Sequence, residues 1–148
     1  MFASVVVGTD GSDTARTAVR YAIDLARQLG ARLQIVSAYE PVPDGRLRDE
    51  RMEVPQDIQW MAGPREEVLS MLEESAAEAR TAGVAEVETF ARQGDAADAI
   101  LDIAEEQRSD LIVVGNKGMT GAKRFLLGSV PNKVSHHAPC SVLIVRTT

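Results

Sequence analysis

Five short runs of apolar, largely β-branched residues, each separated from the next by sequence long enough to return a chain across a sheet, constrain this protein more than any other feature. The runs are Ser4 to Gly8, Leu33 to Ala38, Val84 to Ala91, Leu111 to Val114 and Cys140 to Val145. Most are nearly continuous in apolar residues, the pattern of strands covered on both faces. The third, Val84-Ala85-Glu86-Val87-Glu88-Thr89-Phe90-Ala91, is partly polar and reads as a strand at the edge of the sheet. Helical periodicity fills most of the gaps. Ala15, Ala18, Val19, Ala22, Ala26 and Leu29 fall on one helical face, with Ser12 or Asp13 placed to cap its start and Gly30 its end. Val68, Leu69, Leu72, Ala76 and Ala79 form a second stripe between Pro64 and Gly83, and Ala97, Ile100, Leu101 and Ala104 a third after Gly94-Asp95. A short last helix begins near Ser129-Val130-Pro131, where proline suits a first turn, and ends before Pro139. Strands alternating with helices predict parallel βαβ units with helices on both faces. Right-handed crossovers make the whole a doubly wound α/β sheet.

At 148 residues the chain has the size of one domain, residues 1–148, and its 45% apolar residues lie in short runs. None approaches the roughly 18 residues needed to span a bilayer, and Met1-Phe2-Ala3-Ser4 leads into a strand without a basic leader. The expectation is a soluble cytoplasmic protein with no membrane partner. Cys140 is the single cysteine, so it has no partner within the chain and reads as a buried, inert thiol. Pro41 to Gly63 holds three of the six prolines and reads as a long connection after the second strand.

Charge is unevenly placed. From Leu111 to Thr148 there is no Asp or Glu, while Lys117, Lys123, Arg124, Lys133 and Arg146 give this tail a charge of +5. The first 110 residues carry −11, for a net of −6. An acidic protein with a locally basic segment points to an anionic small ligand rather than to nucleic acid. That segment is also rich in glycine: Gly115-x2-Gly118-x9-Gly128-Ser129 directly follows the apolar run Leu111-Ile112-Val113-Val114. A strand that ends in glycines, with a hydroxyl and a helix start behind them, can bring backbone N–H groups against phosphate oxygens. It is not a P-loop. Gly8-Thr9-Asp10-Gly11-Ser12 lacks the GxxxxGK[ST] pattern and with it the usual phosphate-binding lysine. His136 and His137 are adjacent, so on a helix they point about 100° apart and do not form a metal pair.

The glycine motif, together with the opening Val5-Val6-Val7-Gly8-Thr9-Asp10-Gly11-Ser12, resembles the ATP-binding branch of the universal stress protein family, and the resemblance extends over nearly the whole chain. It implies a flavodoxin-like five-stranded parallel sheet of order 3-2-1-4-5, usually assembled as a homodimer, here through the last strand. In such a sheet ligands bind outside the carboxyl ends of strands one and four, where the order reverses. By that resemblance Thr9 and Asp10 leave strand one at the site, Asp10 meeting ribose hydroxyls or a bound metal such as magnesium. The backbone around Ala38 meets the adenine edge, Gly115 admits the sugar, and Gly118, Gly128, Ser129 and Val130 offer N–H groups to the phosphates.

The leading expectation is a module that senses or carries an adenine nucleotide: ATP, AMP or cyclic AMP. A slow ATPase or phosphotransferase is the second; no carboxylate or histidine is obviously placed to activate a water, so no catalytic residue is assigned. A structural or partner-binding dimer without nucleotide is the third. Pro131 follows Gly128-Ser129-Val130 where triphosphate-binding relatives commonly carry Ser or Thr, and it offers neither hydroxyl nor N–H.

Overall fold

The computed structural model describes residues 2–40, 64–116 and 127–147. Along the chain these form β1 (Ser4–Gly8), α1 (Asp13–Leu29), β2 (Arg32–Tyr39), α2 (Pro64–Ala82), β3 (Val87–Gln93), α3 (Ala96–Glu106), β4 (Leu111–Gly115), α4 (Ser129–His137) and β5 (Ser141–Val145). The strands pair in parallel in the order β3-β2-β1-β4-β5, the doubly wound arrangement that the alternation and the resemblance both imply. The connection 41–63 lies outside the described residues.

Alternation within each strand sorts its side chains between two cores. Val5 and Val7 of β1, Leu33 and Ile35 of β2 and Val113 of β4 meet Ala18, Ala22 and Ala26 of α1 and Leu72 and Ala79 of α2. On the other face Val6, Val36, Ile112 and Val114 meet Ile100, Ile103 and Ala104 of α3 and Val134 of α4. Small residues on α1 let it lie close to the sheet. Its ends follow their sequence signals: the Ser12 hydroxyl accepts from the Ala15 N–H at 3.2 Å, and Gly30 takes a left-handed φ of 64°. Leu29 and Leu69, expected on the apolar stripes, instead lie partly exposed, and Ile23 fills the α1 core position.

The third strand begins three residues later than the periodicity predicts. Val84 is buried but not in the strand: its N–H donates to the Ala79 carbonyl at 3.1 Å, and Gly83, at φ 109°, donates to Arg80. Val84 is thus the hydrophobic residue that seals the end of α2. β3 then continues to Gln93, beside Tyr39, and forms one edge of the sheet as its polar content predicts.

The other edge is β5. Leu143 and Ile144 are 37% and 38% exposed there, whereas the β4 residues paired with them are buried. Cys140, just before it, is half-buried, and burial pushes its thiol pKa up, away from a reactive thiolate.

Candidate functional site

The sheet order reverses between β1 and β4, because β1 leads away to β2 and β4 to β5. At the carboxyl ends of these strands lies a cavity of about 150 Å³. Its walls come from the ends of three strands and the starts of three helices, α1 through Ser12, Thr14 and Ala15 and α3 through Ala96 and Ile100 among them. Gly8, Thr9 and Asp10 leave β1, Val36 to Ala38 come from β2, Val114 and Gly115 end β4, and Ser129 and Val130 open α4. Of the residues expected at the site, Thr9, Asp10, Ala38, Gly115, Ser129 and Val130 are therefore brought together. Gly118 lies outside the described residues, as do Lys117, Lys123 and Arg124.

The turn after β1 is held by its own side chains. The Thr9 N–H donates to the Val36 carbonyl at 2.9 Å, tying the turn to β2. The Thr9 hydroxyl accepts from the Gly11 N–H at 3.1 Å, and Asp10 Oδ1 accepts from the Ser12 N–H at 2.9 Å. Short polar side chains fold back on the backbone in this way wherever a turn needs an internal brace. Gly11 completes it at φ 82°, a conformation that favours glycine. Asp10 is exposed, and its second carboxylate oxygen has no partner among the described residues.

The start of α4 is different. Gly128 is its cap residue, and its N–H is committed to the Asn116 carbonyl at 2.9 Å, so Gly128 supports the helix start without lining the cavity. The Asn132 N–H is the first to be satisfied within the helix, donating to the Gly128 carbonyl at 3.0 Å. Pro131 has no N–H. Only the amides of Ser129 and Val130 therefore remain at this helix terminus, beside the Ser129 hydroxyl, all without partners among the described residues.

The α3 side of the cavity escapes a motif-based reading. A Cβ on Gly8 would fall 2.3 Å from Ile100 Cδ1, so glycine there lets Ile100 of α3 reach the cavity floor. Periodicity marks Ile100 as apolar and inward but cannot say that it lies under the crossover. Ala96, at the start of α3, joins it. Asn116 also goes unnoticed by sequence: its side-chain oxygen accepts from both the N–H and the hydroxyl of Thr147, at 2.9 and 3.0 Å, and its own N–H donates to Val145. It thereby joins the ends of β4 and β5 to the start of α4.

Lys133, one turn beyond Ser129, donates to Asp98 Oδ1 at 2.8 Å and Asp95 Oδ2 at 3.2 Å. Asp95 caps α3, its Oδ2 also accepting from the Asp98 N–H at 3.0 Å. That backbone bond, with help from Lys133, holds the Asp95 carboxyl below its ordinary pKa; Asp98 and Asp95 in turn raise that of Lys133. Among the described residues no group of three or more His, Cys, Asp or Glu is placed to hold a metal ion. No described helix is long and apolar enough to cross a membrane.

The universal stress protein family model matches residues 1–146. A universal stress protein of Mycobacterium tuberculosis is 38% identical over 148 residues, covering 99% of this chain and 98% of its own. A crystal structure of a universal stress protein in complex with cyclic AMP is 35% identical, with 99% of both chains covered and a TM-score of 0.73. A universal stress protein from Archaeoglobus fulgidus in complex with dAMP is 27% identical, with 98% of both chains covered and a TM-score of 0.66. The chain belongs to the universal stress protein family.

Proposed function

From membership of that family we propose that this protein is an adenine-nucleotide-binding module of its ATP-binding branch, serving stress response or signalling in the cytoplasm. The observation that carries the reading is the convergence of the braced Thr9–Asp10 turn and two α4 amides, unpartnered among the described residues, on one cavity at the β1/β4 crossover. Relatives captured with cyclic AMP and dAMP support the same ligand class.

The division of labour follows from the chemistry of each group. Asp10 is an exposed acceptor suited to ribose hydroxyls. As a lone carboxylate it could hold magnesium only where a nucleotide's phosphates complete the oxygen shell. The backbone at Ala38 meets the base edge. Gly115 lets the sugar lie close to the end of β4. Ser129 and Val130 donate to phosphate at the positive end of the α4 dipole, a contribution of about 0.3–1 kcal/mol from the dipole itself. Gly128 acts through the cap bond that sets these amides in place, and Gly118 is assigned to the phosphates by its place in the motif.

With Pro131 at the third position, the helix terminus has two amides to give that are free among the described residues, enough for one phosphate group and fewer than an extended triphosphate can use. AMP and cyclic AMP should therefore compete effectively with ATP. In side-by-side calorimetric titrations, one of the smaller nucleotides is expected within about tenfold of ATP, and magnesium should improve ATP binding by less than about tenfold. ATP binding more than about a hundredfold tighter than both overturns this preference, and a protein that binds none of the three overturns the reading itself.

The exposed β5 edge supports a homodimer. The Val145 carbonyl accepts from Asn116, so by alternation the Ile144 N–H faces the free edge. Proline at such a position leaves the β4 ladder intact. Ile144→Pro is expected to fold as a monomer in light scattering, against a wild-type dimer; a folded variant that stays dimeric places the interface elsewhere.

A further inference from the structure

The Lys133 bridge is too exposed to matter much for stability. Its side chains are 43% exposed for Lys133, 53% for Asp95 and 56% for Asp98, a setting in which ion pairs contribute little. Its location suits another purpose. Asp95 immediately precedes Ala96, which lines the cavity, and Lys133 lies one turn below Ser129 on the same face of α4. Asp95 and Asp98 thus add two carboxylates near the α3 side of a cavity that Asp10 lines directly and whose donors suit an anion. Lys133 reaches both of them at once.

We infer that Lys133 is a charge-shielding residue for an anionic ligand at the β1/β4 crossover. It cancels one of the two negative charges that Asp95 and Asp98 place near the start of α3, the helix that carries the cavity floor. The inference rests on the nucleotide-binding reading and goes beyond it, because Lys133 contacts carboxylates of its own chain and needs no contact with the ligand. The α3–α4 packing itself is apolar, through Ile103 and Val134, so the pair of helices stays assembled without the bridge.

Calorimetric titration with AMP and with adenosine separates charge from shape, since adenosine fills the same base and sugar positions with no phosphate. Lys133→Met is expected to weaken AMP about three- to tenfold at low salt, to leave adenosine unchanged, and to lose most of that difference at about 0.5 M salt. Adding Asp95→Asn and Asp98→Asn should restore AMP to within about twofold of wild type, because asparagine still caps α3 and the uncovered charge is gone. Unchanged AMP binding in Lys133→Met overturns the inference, as does an equal loss for adenosine or a failure of the triple variant to recover. Wild-type protein that binds neither ligand breaks the nucleotide reading as well. Wild-type binding that Lys133→Met leaves untouched breaks the shield alone.

Discussion

The two ends of the sheet use their polar groups in opposite ways. Where β1 and β4 begin, polar groups are turned on one another: Asp110 accepts from the Ala3 and Ser4 N–H groups at 2.9 and 3.0 Å, and the Arg32 guanidinium donates to the Gln107 carbonyl at 2.6 Å. The Ser4 and Ser109 hydroxyls both donate to Gln34 Oε1. Where the same strands end, the Ser129 and Val130 amides and one oxygen of Asp10 have no partner among the described residues. One end consumes its hydrogen-bonding capacity in holding itself together. The other keeps capacity in reserve, at the place where an open parallel sheet has a crevice. A single buried group breaks the pattern: Gln34 Nε2 has no partner among the described residues, the cost of which is about 1–3 kcal/mol.

The contrast can be broken by mutation, and the largest effect is expected where it is narrowest, at Gly8. Gly8→Val must displace Ile100 and fill the cavity together, so it should lower stability by about 1–3 kcal/mol and abolish measurable nucleotide binding. A stable variant that binds normally, by thermal melting and calorimetry, removes Gly8 and Ile100 from the site. Ser129→Ala should touch function alone. It is exposed and not the helix cap, so stability should stay within about 0.5 kcal/mol while affinity falls about ten- to a hundredfold with the lost bond to phosphate. Equal affinity in the folded variant leaves the helix terminus without a role.

Asp110→Asn is the converse test at the opposite end, with the smallest effect: a loss of about 1 kcal/mol and no change in nucleotide affinity. Burial pushes the Asp110 carboxyl up, but the Ala3 and Ser4 N–H groups outweigh that and leave it below its ordinary pKa. A carboxyl depressed on folding adds stability above its unfolded pKa of about 3.9, and that stability is lost as pH falls through the lower folded value. Melting curves between about pH 6 and pH 3 should therefore show a shallower acid limb for Asp110→Asn than for wild type. Parallel limbs mean that the aspartate gains nothing from its bonds.

Much of this arrangement is readable from residue type and spacing. Continuous apolar runs give β1, β2, β4 and β5 to within a residue or two, because strands covered on both faces leave little room for polar side chains. Val84 misleads because a buried residue closing a helix and one opening a strand are the same kind of residue; the difference lies in the positive φ of Gly83 before it. At the cavity, Thr9, Asp10, Ala38, Gly115, Ser129 and Val130 are reachable through the family resemblance, whose motifs fall at element ends. Ile100, its contact with Gly8 and the Lys133 bridge are not, since each depends on which elements the crossover brings side by side. The commitment of the Gly128 amide to Asn116 is equally invisible, because a glycine has the same letter whether its N–H is free or spent.

Asn116 is a junction between three element ends. It follows β4 directly, its carbonyl receives the Gly128 amide at the start of α4, and its side chain holds Thr147 just past β5. A change at this one residue is therefore felt at the helix terminus that faces the cavity and at the end of the edge strand together.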